Sequence, residues 1–134
     1  MKRINVAVGI ILNSQGQVLI GQRLAEDAYF QKWEFPGGKL EKGESAEVAL
    51  KRELNEELGI VVKDSQDFMT LDHDYPDREV RLYVRLVTSY SGKILSQEGQ
   101  ALQWLAPNKL TELDFLKGNQ AIIDKLLLGV TGVT

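Results

Sequence analysis

The segment GKLEKGESAEVALKRELNEELGI, residues 38–60, constrains this chain more than any other stretch. A glycine opens it, strong helix formers fill its second half, and Gly59 stands near its end. Residues 45–58 are predicted to form a helix. Ser45 suits the N-cap, Glu47 suits the positive end of the helix dipole, and Gly59 stands where a C-terminal cap belongs. Leu50, Leu54 and Leu58 recur every four residues and form one apolar stripe, so the helix must pack on a core. Glu53, Glu56 and Glu57 stand at i, i+3 and i+4, which puts three carboxylates on one face beside that stripe.

Like charges at that spacing repel by about 0.2–0.5 kcal/mol per pair on an exposed helix. Arg52, four residues before Glu56, offsets part of this. A hard divalent cation would offset all of it, because Mg²⁺ takes a few carboxylate oxygens together with waters and substrate phosphates. Glu44, just ahead of the helix, would join the cluster or brace it. A solvated charged face is the competing account. Against it, Pro36-Gly37-Gly38 lies one short loop before the helix, and glycines let a backbone approach a ligand closely.

Around this helix the chain alternates strands and helices. Residues 4–12 are rich in Val and Ile and read as a central strand. A turn at Asn13-Ser14-Gln15-Gly16 leads to a second strand at 17–22, and together they read as a hairpin. Residues 24–32 are a polar connection. Trp33-Glu34-Phe35 is short and apolar, and Pro36-Gly37-Gly38 stops it. Strands are expected at 68–73 and 79–90, with a turn at Asp74-Tyr75-Pro76-Asp77. In the latter strand Val80, Leu82, Val84 and Leu86 alternate with Arg81, Tyr83 and Arg85. A last short strand is expected at 103–105. Pro107 opens a short helix, residues 119–128 form a closing amphipathic helix, and the tail at 129–134 frays. Strands and helices without a strict βαβ repeat imply an α/β or α+β fold with a mixed sheet.

Bulk properties narrow the classes of function. At 134 residues the chain is read as one domain, residues 1–134, able to bury one core. It has no cysteine, so disulfides and thiolate metal sites are excluded. No apolar run approaches the ~18 residues of a membrane span. Met1-Lys2-Arg3 and the apolar residues after it imitate a secretory signal but lack a cleavage site, so a cytoplasmic protein is expected. The net charge of −3 argues against a nucleic acid polymer as partner. It leaves room for a small phosphorylated ligand held through cations.

Gly38, Glu44, Arg52-Glu53-Leu54, Glu56-Glu57, Leu58 and Gly59-Ile60 match the Nudix box at every defined position. The chain therefore resembles the Nudix hydrolases. The resemblance extends from Ile4 to about Leu128, and it is strongest to the MutT type, the 8-oxo-dGTP diphosphatases. Residues 7–11, Glu34-Phe35-Pro36-Gly37-Gly38-Lys39, Tyr75-Pro76-Asp77-Arg78 and Glu98-Gly99-Gln100 carry that closer likeness.

The resemblance implies an α/β/α sandwich with a mixed sheet and a Mg²⁺-dependent hydrolase, with Mn²⁺ as a possible substitute. Glu53, Glu56 and Glu57 would hold the metal with the Gly37 carbonyl, and Arg52 would orient a glutamate. Either Glu53 or Glu98 would activate water. The implied reaction takes 8-oxo-dGTP to 8-oxo-dGMP and pyrophosphate in a small monomeric enzyme that cleanses the nucleotide pool. Phe35 would pack near the base, with Glu34 and Pro36 in the same substrate-binding stretch. Arg23 would lie near the phosphates, Arg78 would border the base pocket, and Asn119 would read the oxidised guanine. Plainer roles exist for some of these: Asn119 could cap the last helix, Arg23 could be a surface ion-pair partner, and His73 is expected to have no role. The chain departs from the MutT pattern at Ala28, where a ligand-contacting histidine is expected, and near residues 115–119, which lack paired prolines. Rival readings are a Nudix enzyme for CTP or modified pyrimidine nucleotides and a non-catalytic nucleotide-sensing module.

Overall fold

The computed structural model describes residues 3–27 and 29–129. The Ala28 departure and most of the predicted frayed tail, residues 130–134, lie outside the described residues.

Four strands form a mixed sheet. They are β1 (Arg3–Ile10), β4 (Gly37–Lys39), β5 (Val61–Tyr75) and β6 (Arg78–Ser91), in the order β4-β1-β6-β5. β1 runs parallel to β6, and the other two pairings are antiparallel. A smaller antiparallel sheet has the order β3-β2-β7, from Trp33–Glu34, Val18–Gln22 and Leu102–Leu105. Two helices, α1 (Ala46–Leu58) and α2 (Gln120–Leu127), complete the structure together with 3-10 turns at Pro107–Glu112 and Lys117–Asn119.

Strand alternation explains the layers. Ala7 of β1 packs in one core with Leu50, Leu54 and Leu58 of α1. Its neighbours Val8 and Ile10 enter a second core with Ile122, Ile123 and Leu126 of α2. Successive side chains of a strand point to opposite faces. A strand covered on both faces therefore reads as a continuous apolar run, as β1 does. The result is the expected α/β/α sandwich. Among the described residues no helix is long and apolar enough to cross a membrane.

The helix is capped as predicted. The Ser45 side chain accepts the Val48 N–H, and the left-handed Gly59 donates its N–H to the Asn55 carbonyl. Ala49, Leu50, Leu54 and Leu58 are fully buried. Burying each leucine contributes about 1.5–3 kcal/mol, and Leu54→Ala alone would cost about 2–5 kcal/mol.

Three expectations are corrected. The predicted hairpin exists only at its turn. Asn13 Oδ1 accepts the N–H groups of Gln15 and Gln17, and Leu12 bridges Val18. Beyond that point β1 and β2 part into separate sheets, because both edges of β1 are already taken by β4 and β6. Pro36-Gly37-Gly38 does follow the end of β3, but it is more than a stop: Gly37–Lys39 is itself a strand of the other sheet, in register with Val6, Ala7 and Val8. Finally, β5 runs well beyond residues 68–73. The polar residues Lys63 to Asp67 disguise its first half, which stays paired with β6 through register irregularities at 62/64, 64/65 and 67/69.

Candidate active site

The β4–α1 unit brings the glutamates to the sheet edge. Gly37 has φ +152°, and a Cβ there would collide with the Ala7 backbone. Gly38 lies directly under the Glu53 carboxyl group, and a Cβ on it would stand 2.6 Å from Glu53 Oε2. The bare glycine backbone is what lets the glutamate lie flat on the strand.

Arg52 organises the carboxylates. Its Nε and Nη2 donate to the two oxygens of Glu44, at 2.7 and 2.9 Å. Nη1 donates to Glu53 at 2.8 Å, and Nη2 also reaches the Lys39 carbonyl at 3.0 Å. This fork geometry is available to arginine and not to lysine. Glu44 is thus a brace, and it also accepts the Glu41 N–H at 2.8 Å. Those bonds, the Arg52 pair first, hold the Glu44 carboxyl down at about 2. Arg52 is held firmly protonated by Glu44 and then Glu53.

The three box glutamates separate in space. Glu53 and Glu57 are half-buried, whereas the Glu56 side chain is 52% exposed and lies 3.6 Å from Arg52. Glu57 lines a cavity of about 260 Å³ together with Glu98, Gly37, Pro36, Glu34 and Arg23. Burial, then hydrogen bonding and repulsion from Glu53, then Glu98 and Glu34, push the Glu57 carboxyl up to about 9. Crowding of this kind favours a cation. Among the described residues, however, no three carboxylate or histidine side chains form a ready-made metal cage. The donor set suits a hard ion that brings waters and substrate oxygens with it, as Mg²⁺ does.

A second cavity of about 240 Å³ adjoins the first and shares Arg23, Glu34 and Gly37 with it. Its walls include Phe35, Tyr75, Arg78 and Asn119. Arg23 stands at the junction, paired with Asp27 at 3.1 Å and Glu34 at 3.5 Å, with its side chain 19% exposed. It is an ion-pair partner, as one reading had it, yet it is turned into the clefts. Burial raises the Glu34 carboxyl above its ordinary range, and Arg23 opposes that rise. Phe35 is 3% exposed and packs 5.3 Å from Phe115, so it is core and pocket floor together.

Asn119 is 5% exposed. It does precede α2, but its side chain makes no capping bond. Instead its Oδ1 accepts the Phe35 N–H at 3.4 Å, across 84 residues of sequence. The capping account of Asn119 is therefore overturned. The structure brings Arg23, Glu34, Phe35, Pro36, Gly37, Glu57, Arg78, Glu98 and Asn119 around the paired cavities. Glu53 lies alongside over Gly38, and Glu44, Arg52 and Glu56 stay outside the cavity walls.

Sequence reasoning missed Gln22, Gln100 and Lys39 on the cavity walls and Tyr29 beside them. Gln100 and Lys39 stood in stretches already singled out. Gln22 and Tyr29 carried no sequence signal, since a strand-end amide and an aromatic in a polar connection have many uses. His73 stacks on Tyr75, with ring centroids 4.5 Å apart, and does not line either cavity.

Residues 7–125 match the family model described as NUDIX domain. The 8-oxo-dGTP diphosphatase of Escherichia coli strain K12 is 40% identical over 126 residues, covering 94% of this chain and 98% of that protein. The CTP pyrophosphohydrolase of the same organism is 37% identical over 109 residues, covering 81% and 80%. A solved MutT structure, from work on Aliivibrio salmonicida and Vibrio cholerae, superposes with a TM-score of 0.81 at 38% identity, covering 95% of this chain and 98% of that one. The glycine-bounded acidic helix, its fold and these matches make the chain a member of the Nudix hydrolase family.

Proposed function

We propose that this enzyme is a Mg²⁺-dependent nucleoside triphosphate pyrophosphohydrolase that converts 8-oxo-dGTP to 8-oxo-dGMP and pyrophosphate. One observation carries the reading: an acidic cavity and an aromatic, amide-bearing cavity meet at Arg23, Glu34 and Gly37. That geometry suits a ligand with polyphosphate at one end and a planar base at the other. The similarity to the E. coli 8-oxo-dGTP diphosphatase supports the choice of base.

Glu53, Glu56 and Glu57, with the Gly37 carbonyl, would hold Mg²⁺, or Mn²⁺ in its place. When bound, the cation neutralises phosphate charge and polarises phosphorus. Arg52 and Glu44 keep the Glu53 carboxylate aimed at the cleft. Glu98 faces the same cavity as Glu57 and has no ion-pair partner among the described residues, so it accepts the proton of the attacking water. Glu53, bonded to Arg52, is the alternative base. Water attacks the β-phosphorus, the bond from that phosphorus to the bridging oxygen breaks, and the nucleoside monophosphate leaves. Arg23 binds phosphate oxygens at the junction. Phe35 and Arg78 enclose the base, Pro36 contributes to the wall of the phosphate cavity, and Asn119 offers its Nδ2 donors to a purine carbonyl. We read the protein as a one-domain cytoplasmic monomer acting on free nucleotides.

The test is a Mg²⁺-dependent hydrolysis panel of 8-oxo-dGTP, dGTP and CTP, with the phosphorus product identified. Glu53→Gln and Glu57→Gln should each lose most activity. Near-full activity in both would refute the site. A second reading, hydrolysis of CTP, is favoured by the 37% identical CTP pyrophosphohydrolase, and preferred turnover of CTP would establish it. The non-catalytic reading has no support, because every box glutamate is retained.

A further inference from the structure

Two segments far apart in sequence meet at the mouth of the second cavity, and a tyrosine joins them. Tyr29, from the connection between β2 and β3, donates its hydroxyl to Asp77 Oδ1 at 2.6 Å. Its ring stands edge-on to Tyr75, with centroids 5.0 Å apart. The Arg78 guanidinium lies 4.8 Å from the Tyr29 centroid and 5.8 Å from that of Tyr75. The Tyr75 hydroxyl in turn accepts the Gly118 N–H at 2.9 Å, one residue before Asn119.

Arg78 is unusual in how little else holds it. Its Nε is buried without a hydrogen-bond partner among the described residues, and Asp77 is 3.9 Å away. A guanidinium usually spends its N–H groups on carboxylates. Here two aromatic faces attract the cation and leave its donors free. An unrestrained arginine carries rotamer entropy that binding must remove. Contact with the two ring faces removes part of it before any ligand arrives.

We propose that Tyr29 is a positioning residue of the base pocket: its bond to Asp77 fixes the ring wall that holds Arg78 aimed at a nucleotide's acceptors. Tyr29 does not line the cavity; its ring lies 4.8 Å from Arg78 and 5.9 Å from Arg23, so we assign its action to the nearer Arg78. The inference rests on the nucleotide-hydrolase reading above, without depending on which base is preferred. Preorganisation of this sort strengthens ground-state and transition-state binding alike, so it shows in KM and not in kcat.

The experiment compares Tyr29→Phe, which keeps the ring and deletes the hydroxyl, with the parent protein. Both are assayed on whichever nucleotide triphosphate the parent hydrolyses best, so failure of the 8-oxo-dGTP reading leaves this measurement standing. KM, and Kd for the monophosphate product, should rise about threefold to tenfold while kcat changes by less than about twofold, the scale of one lost hydrogen bond. Asp77→Asn, which keeps an acceptor, should stay within about twofold of the parent KM. In an Arg78→Ala background, Tyr29→Phe should add nothing, because both act on one element. An unchanged KM in Tyr29→Phe, even with a lowered Tm, overturns the proposal. So does a rise in KM that persists in the Arg78→Ala background, or a fall in kcat at constant KM.

Discussion

Gly38→Ala isolates the geometry of the site from the stability of the fold. Gly38 does not occupy the left-handed region, so alanine is compatible with its backbone. The three nearest atoms that a Cβ would meet all belong to the Glu53 carboxyl group. The new Cβ would lie inside contact distance of the carboxyl carbon and both oxygens, the farthest of them, Oε2, at 2.6 Å, whereas ordinary contact begins at 3.4 Å, so the carboxylate must retreat by about 1 Å or more. Glu53 is the end of a flexible side chain, and it can move by giving up its 2.8 Å bond from Arg52. That bond belongs to a part-exposed pair, at 17% and 23% side-chain exposure, so its loss costs about 0.2–1 kcal/mol. The melting temperature should fall by no more than roughly 5 °C for a domain of this size. Activity should fall far more, because a displacement of about 1 Å in a positioned group can cost about 100-fold. The assay is Mg²⁺-dependent pyrophosphate release together with a thermal melt. Gly37→Ala is the contrast: its Cβ would meet the Ala7 backbone, which cannot move aside, and positive φ adds strain, so stability should drop by more than about 2 kcal/mol. A folded Gly38→Ala protein with kcat/KM within about threefold of the parent would refute the claim that Glu53's position over this glycine matters for turnover.

Other outcomes follow from the same geometry. Arg52→Lys keeps the charge but loses the fork on Glu44 and the bond to Glu53; steady-state kinetics should show about a 10- to 100-fold loss, the scale typical of residues that orient ligands. The Glu57 carboxyl, ordinarily near 4.5, is raised to about 9 in the metal-free fold. The folded state then holds a proton that the unfolded chain lacks, so this group's contribution is full below pH 4.5 and is lost as pH rises through 9. Melts of metal-free protein should decline from pH 5 to pH 8, and Glu57→Gln should flatten that decline. Titrating Mg²⁺ at pH 7.5 in two buffers of different ionisation enthalpy should reveal proton release, which disappears in Glu57→Gln. Asn119→Ala should erode the preference for 8-oxo-dGTP over dGTP by about 1–3 kcal/mol in relative kcat/KM; an unchanged ratio would remove Asn119 from base recognition.

The acidic helix was legible in the sequence to the residue, because its information is local. Capping by Ser45, closure by Gly59, the Leu50/Leu54/Leu58 stripe and the shared face of the glutamates all follow from helical spacing. The buried alternation of β6 was legible for the same reason. What failed was whatever depended on partners. The sequence showed a hairpin turn after β1, but only the competition of β4 and β6 for its edges sends β2 into another sheet. Pro36-Gly37-Gly38 looked like a stop, and it became a strand because Val6, Ala7 and Val8 present a free ladder edge. Spacing grouped Glu53, Glu56 and Glu57 as equals, whereas burial separates Glu57, in the cleft, from Glu56, in solvent.

The second cavity belongs almost wholly to the tertiary structure. Asn119 meets Phe35 across 84 residues, and Tyr29 meets Asp77 across 48. No local period encodes such contacts; they exist only once both cores have closed around β1. The three box glutamates are thus written in one helix, whereas Arg23 and Glu98 reach the acidic cavity from elsewhere in the chain. The walls of the second cavity come from five strands and the segments between them, which the packed sandwich alone brings together.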